Sequence, residues 1–288
     1  MTENEKPYPV SDTAALVMLW ASGYYEPQPL VGTYLKKLDL SAGRQLLECY
    51  NEICPWYAEV IINRKHFIKN TVEELVKADT KPTTIVNLGA GFSPLALELL
   101  PLLCDRVRFI EIDRNNMSHK HQRYARLVPD CCRFISCIES DITDTALLAD
   151  ALRKASGDPA DTKLIVVMEG LSYYIERPAM ERVITSLSDL FPDLSIVFEH
   201  LKPCRLVAEE RRFIPYRIFS HVRDYTALDR MTTYSPDEIV AMLGPDFSCH
   251  YYDMDTMEKR RTGSSRYFKT PDAGWLSCAV AVRKTGRE

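Results

Sequence analysis

The chain has 288 residues, 46% hydrophobic and 26% charged, with 36 Lys and Arg against 40 Asp and Glu for a formal net charge of -4. Such a chain buries a substantial core, which excludes global disorder and small disulfide-stapled scaffolds, and its acidic total gives a polyanion no general attraction, so nucleic acid is not an expected partner. The nine cysteines are an odd count with no CxxC pair, a pattern expected of reduced thiols rather than of disulfides or a zinc site. The stretch from Met1 to Pro9 has no apolar core, and no later run reaches the ~18 apolar residues of a membrane span. A soluble, cytoplasmic protein with no membrane partner and no bound metal is expected; composition leaves the oligomeric state open.

From Val10 to Ala78 apolar residues recur at spacings of three and four, as in Leu46, Leu47, Tyr50, Ile53 and Cys54, then Val60 and Ile61. This predicts a helical cap over residues 1–82, ended by Pro82, which cannot continue a helical hydrogen-bond ladder. Short apolar runs then alternate with helical segments: Thr84 to Leu88, Val107 to Ile112, Arg133 to Cys137, Leu164 to Met168 and Ser195 to Phe198. Continuous apolar strands are buried on both faces, which requires helices on each side of a parallel sheet. Ser93 with Pro94, Pro178, and the capping box of Ser235 with Glu238 mark helix starts.

Phe247 to Tyr252 and Leu276 to Val282 read as a closing antiparallel pair around a polar connection from Arg260 to Gly274. The expected fold is α/β, a doubly wound Rossmann-like sheet of about seven strands with the last one antiparallel. Its core would span 83–202 and 234–288. Residues 203–233 interrupt it as a helical insert after the fifth strand, with Arg205, Arg211, Arg212, Arg217, Arg223 and Arg230 interleaved with Phe213, Tyr216, Phe219 and Tyr225.

The segment running from Thr84 through Gly89, Ala90 and Gly91 to Pro94 is a strand entering a turn and then a helix. Glycines there allow either a simple tight turn or a loop that a ligand approaches closely. Glu111 and Asp113 close the next strand roughly 20 residues on, where a carboxylate accepts from ribose hydroxyls; capping of the helix at Arg114 is the other reading. A dinucleotide fingerprint needs a third glycine where this chain has Pro94, and no P-loop lysine follows, so an adenosine ligand without pyrophosphate fits better. After the third strand, Asp141 is placed to accept from an adenine amino group with Ile142 packed on the ring, or else to order its own loop.

At these positions the chain resembles the leucine carboxyl methyltransferase family, including its bacterial small-molecule O-methyltransferase branch. The likeness runs from Asn63 to about Lys202. It is carried by Ile62-Asn63-Arg64, Leu88-Gly89-Ala90-Gly91-Phe92, Phe109-Ile110-Glu111-Ile112-Asp113 and Glu169-Gly170-Leu171-Ser172-Tyr173-Tyr174. The resemblance implies S-adenosylmethionine as cofactor, with Arg64 gripping the carboxylate of its methionine end, Asp113 at the ribose with Glu111 as neighbour, and Asp141 on the adenine side. It also implies Glu169 near the methionine amino group, with Tyr174 completing a Glu-x-x-x-x-Tyr motif. Many relatives carry aspartate where this chain has Ser93.

A sulfonium methyl is already a strong electrophile, so such an enzyme mainly orients an oxygen nucleophile; an ionised carboxylate needs no general base, whereas a phenol does. Tyr173, Tyr174 and His200 are the residues expected to face the methyl, with the insert closing over a small-molecule carboxylate or phenol. Methylation of a protein C-terminus or of RNA, an NAD-type oxidoreductase and a non-catalytic binding protein on the same fold are the alternatives.

Overall fold

The computed structural model describes residues 6–226 and 230–284, the side chains of 224–226 excepted. Two short strands, β1 (Tyr8–Pro9) and β2 (Leu38–Asp39), pair in parallel within the N-terminal region. The main sheet comprises β3 (Thr83–Leu88), β4 (Val107–Asp113), β5 (Ile135–Glu139), β6 (Lys163–Met168), β7 (Leu194–Leu201), β8 (Phe247–Asp253) and β9 (Leu276–Arg283). Their spatial order is β5-β4-β3-β6-β7-β9-β8. Neighbours from β5 to β7 are parallel, and β9 runs antiparallel between β7 and β8. The strand order reverses beside β3, and in open α/β sheets the crevice at such a switch point receives ligands.

Side chains alternate along each strand and divide the core into two layers. One face carries Val86, Leu88, Ile110, Ile112, Val166, Met168, Ile196 and Phe198, which pack against the helices Thr145–Ser156, Arg177–Leu190 and Pro236–Leu243. The other carries Ile85, Phe109, Ile165, Val167, Val197 and Leu201 under the N-terminal helices, above all the long helix Tyr57–Lys77. Carried to the carboxyl ends, the same alternation points Asn87, Glu111, Asp113, Glu169 and Glu199 toward the N-terminal layer. That layer is therefore apolar in mid-sheet and polar at the strand ends.

Several sequence expectations hold in detail. Ser235 accepts from the Glu238 amide while the Glu238 carboxylate accepts from the Ser235 amide, completing the capping box, and Pro178 lies in the first turn of its helix. Others need correction. Residues before Pro82 are not helical throughout, since β1 and β2 interrupt them. Arg133 falls in a 3₁₀ turn, Cys132–Phe134, and β5 begins two residues later. Ser93 does not cap it: the helix Leu95–Glu98 starts after Pro94, and the buried Ser93 hydroxyl has no hydrogen-bond partner among the described residues. The connection expected from Arg260 begins as the end of a helix, Met254–Thr262, and the Glu258 carboxylate gathers the amides of Arg266, Tyr267 and Phe268 beyond it.

Glu111 is fully buried and bonded at 2.8 Å to Lys120, itself fully buried on the helix Met117–Leu127. Lys120 also reaches the carbonyl of Ala90 at 3.5 Å, so this pair sits beneath the glycine turn. Lys120→Met strands the buried carboxylate without its counter-ion and is expected to cost about 3–5 kcal/mol in urea unfolding. The Lys120→Met, Glu111→Leu double variant should recover most of that. Loss of less than about 1 kcal/mol in the single variant would show the pair to be dispensable.

Candidate active site

A cavity of about 420 Å³ opens at the carboxyl ends of β3, β4 and β6. Its floor and sides are Arg64, Lys65, Asn87, the turn 89–93, Asp113, Glu169, Gly170, Tyr173 and Tyr174, and its roof is Pro9, Ser11, Thr13, Ala14, Val17 and Met18 from the N-terminal segment. A second recess of about 150 Å³, bounded by Ser140, Ile142, Thr143 and Ile175, shares Gly89, Asp113, Leu171 and Tyr174 with the first. Together they form a bent slot over the glycine turn, of a size that accepts a nucleoside-sized ligand.

The turn is shaped by glycines in the left-handed region, Gly89 at φ 67° and Gly91 at φ 43°. The Gly91 amide donates to Asp113 Oδ2 at 2.9 Å, while the carbonyl of Phe92 accepts from Tyr34 at 3.2 Å and that of Ser93 from Tyr124 at 3.5 Å. Backbone and carboxylate are thus held in one arrangement, with Asp113 at the junction of the two recesses.

At the deep end lies a buried charge cluster. Arg64 donates to Glu169 through Nε at 3.1 Å and Nη2 at 2.9 Å, and its Nη1 lies 3.7 Å from Glu199. Lys65, the next residue of the same helix, reaches the same Glu169 oxygen at 2.9 Å. Burial alone would raise the Glu169 carboxyl, but Lys65 and Arg64 outweigh it and hold it at about 2. Glu199 has the longer contact to Arg64 and a 2.5 Å bond from the Gly170 amide, and burial raises its carboxyl.

Of the residues expected at a site, Arg64, Gly89, Ala90, Gly91, Asp113, Glu169, Tyr173 and Tyr174 line the larger recess, and Ile142 lines the smaller. Three do not meet the expectation. Glu111 faces down into the Lys120 pair and touches neither recess. Asp141 lies just off the wall: its Oδ1 takes the amide and hydroxyl of Thr143 at 2.9 and 2.7 Å, and its Oδ2 pairs with Arg114 at 2.9 Å. It orders the loop that presents Ile142. His200 sits on the opposite face of β7, beside Phe198 and Tyr234, because the strand alternation that turns Glu199 toward Arg64 turns its neighbour away. Burial lowers the His200 imidazole to about 4, so it is neutral near pH 7.

Sequence reasoning missed Lys65, Asn87, Glu199 and the roof residues. Asn87 is 1% exposed, lines the larger recess, and among the described residues neither its amide oxygen nor its amide nitrogen has a hydrogen-bond partner. An amide buried this way costs free energy unless a ligand or water meets it. A period-two reading of β3 and β7 from their apolar residues would have pointed both Asn87 and Glu199 at the site. Of the insert, the Asp224 and Tyr225 side chains lie outside the described residues. Arg211 packs over Trp56 and Phe268 and donates to the Ala273 carbonyl.

The two glycines predict different outcomes. A Cβ on Gly91 meets nothing within 4 Å and would project into the recess, whereas one on Gly89 would meet Leu171 Cδ1 at 2.6 Å. Gly91→Ala is therefore expected to cost only about 1–2 kcal/mol of stability while strongly weakening nucleoside binding. Gly89→Ala should cost more stability; thermal melts and calorimetric titration separate the two, and equal effects would refute this placement.

Glu98, 8% exposed, lies near Lys65 and Tyr24, and burial pushes its carboxyl up to about 7 from an ordinary 4.5. The folded state thus holds this proton more tightly than the unfolded chain does. Its stabilisation is complete below about pH 4.5 and is lost as the pH rises through about 7. Glu98→Gln removes that loss, so the stability gap between variant and parent should shift in favour of the variant by about 2–3 kcal/mol between pH 4 and 8. Parallel pH profiles in thermal melts would refute it.

Comparison with known proteins follows the same lines. The family model for leucine carboxyl methyltransferase matches residues 12–188. Among solved structures, a presumed methyltransferase from Thermobifida fusca YX superposes with a TM-score of 0.67 at 16% identity, covering 98% of this chain and 97% of that one. A DUF574 family protein from Streptomyces avermitilis MA-4680 does so with a TM-score of 0.61 at 14% identity, over 84% and 90%. At these identities they share the fold. No curated protein sequence matches significantly. Among the described residues, no helix is long and apolar enough to cross a membrane.

Proposed function

The chain belongs to the leucine carboxyl methyltransferase family and is an S-adenosylmethionine-dependent methyltransferase, and we propose that it methylates a carboxylate oxygen of a small molecule. The residues present suit the methyl donor. Arg64 and Lys65 are a cationic end for its carboxylate, Glu169 and the unpartnered Asn87 amide are polar partners for its amino-acid part, Asp113 faces the ribose position, and Ile142 offers an apolar surface to the adenine. Bound there, S-adenosylmethionine supplies a methyl group on a cationic sulfur, an electrophile that needs no protein nucleophile.

The work left to the protein is to bind the acceptor oxygen in line and keep water away, and orientation of this kind supplies ~7–11 kcal/mol. Tyr173 and Tyr174 form the wall of the recess next to the insert, and burial raises both phenols far from neutrality, so they act as hydrogen-bond donors. The observation that carries the carboxylate reading is the character of this wall. Glu169 is too weak a base at about 2, and His200 faces the other side of the sheet. An acceptor that arrives ionised needs no base there, which favours a carboxylate over a phenol.

The test is twofold. Calorimetry should show S-adenosylhomocysteine binding weakened about tenfold or more in Asp113→Asn and in Arg64→Gln. Because Arg64→Gln also strands two buried carboxylates, its circular dichroism must be compared with that of the parent. A screen of carboxylic acids and phenols with labelled methyl donor should then yield a base-labile methyl ester. Unchanged affinity in both variants rejects the donor site, and transfer only to phenols rejects the carboxylate assignment.

A further inference from the structure

Glu199, near the carboxyl end of β7, is fully buried and stands behind the turn that follows β6. It holds that turn twice. Its Oε2 accepts from the Gly170 amide at 2.5 Å, and its main-chain carbonyl accepts from the Ser172 hydroxyl at 2.8 Å. Between these anchors Leu171 lies against Gly89 of the donor turn, and just beyond them come Tyr173 and Tyr174, which line the donor recess. One residue of β7 thus sets the backbone on which both the donor turn and the tyrosine wall rest.

The other carboxylate oxygen, Oε1, has no hydrogen-bond partner among the described residues and lies 3.7 Å from Arg64 Nη1. Arg64 uses Nε and Nη2 for Glu169, so Nη1 is the terminal nitrogen that Glu169 leaves to another acceptor. A donor carboxylate that pairs with Arg64 there contends with Glu199 for the same nitrogen. The remaining titratable groups around Glu199 are Glu169 at the end of β6, Lys65 and Tyr57 on the long helix, Tyr173 and Tyr174 in the turn, and Cys278 opposite it on β9. Lys65 is engaged by Glu169, and burial raises the three phenols and the thiol so far that they stay neutral. Burial also raises the Glu199 carboxyl, and Arg64 is the main influence that opposes it.

We propose that Glu199 is a positioning residue linked to donor binding: the donor's carboxylate takes its place at Arg64, Glu199 takes up a proton from solvent, and the neutral acid keeps its hold on the turn that carries Tyr173 and Tyr174. The inference rests on the methyl-transfer reading. A buried guanidinium already bonded to Glu169 and then to the donor leaves a third carboxylate nearby without a counter-charge, and such a group is more stable protonated. The proton adds at Oε1, and Oε2 still accepts from the Gly170 amide because a neutral carboxyl retains an acceptor oxygen. The tyrosine wall is therefore held in the same place on either side of the binding step.

The experiment titrates S-adenosylhomocysteine calorimetrically into the full chain from about pH 5 to 8, in buffers of unlike ionisation enthalpy, for the parent, Glu199→Gln and Glu98→Gln. The parent should take up as much as about one proton, and its affinity should rise as the pH falls. Glu199→Gln keeps an oxygen for the Gly170 amide; it should still bind but lose most of the uptake and show a flatter pH profile. Glu98→Gln, which removes the other buried acid near Lys65, should retain the uptake. Hydrogen exchange over residues 169–174 reads the hold on the turn: Glu199→Gln should protect it as the parent does, and Glu199→Leu should speed exchange of the Gly170 amide about tenfold or more. Binding without proton uptake, uptake that survives Glu199→Gln, or faster exchange already in Glu199→Gln overturns the inference while the donor reading stands. Failure of the parent to bind S-adenosylhomocysteine overturns both.

Discussion

The site depends on one buried contact, the grip of Arg64 and Lys65 on Glu169. It joins the long helix Tyr57–Lys77 to the end of β6, so the layer covering the sheet and the strand ends beneath it are registered by the same charges that face the ligand. Buried ion pairs add little net stability but are costly to break. Such a contact constrains where the helix can sit more than it adds to the free energy of folding, and it fixes a cationic surface at a defined depth below the glycine turn.

The glycine turn is constrained from underneath in the same manner. Glu111 and Lys120 form a second buried pair, and Lys120, Tyr34 and Tyr124 engage the carbonyls of residues 90, 92 and 93. With those carbonyls turned into the protein, the turn keeps its narrow backbone face for the ligand. Glu111 thus supports the cofactor loop without lining it. Glu111 was read from sequence as a ligand beside Asp113 because spacing alone does not distinguish a side chain at the strand end from one two residues earlier and still covered by the next helix.

The alternation of apolar runs and helices made the parallel sheet, its seven strands and the antiparallel closure readable before any coordinates, because burial on both faces leaves a signal in every strand. Asp113 was readable from its spacing after the glycines, while Arg64, Glu169 and Tyr174 came forward through the family resemblance, and all four line the larger recess. The roof was not. Pro9, Ser11 and Thr13 belong to a segment with little periodicity, and its position over the recess is set by the pairing of Tyr8–Pro9 with Leu38–Asp39 and by Tyr8 packing on Phe92 and His119. These are long-range contacts with no local sequence signature. His200 was misplaced for a different reason: the strand was read as ending at Phe198, whereas β7 runs on to Leu201 and its period of two turns His200 away from the site.

That period also explains the charge of the deep end. Glu169 is ionised, whereas burial pushes Glu98 and Glu199 toward their neutral forms. Arg64 and Lys65 thus converge on one firmly ionised carboxylate in a cluster that is closed off from solvent. In the proposed binding mode the carboxylate of the donor meets this cationic end and its adenosine lies along the glycine turn. In that direction its methyl-bearing middle would lie beside Tyr173 and Tyr174. The order of charges along the slot, cationic at the floor and acidic at Asp113, makes its two ends chemically distinct before any ligand enters.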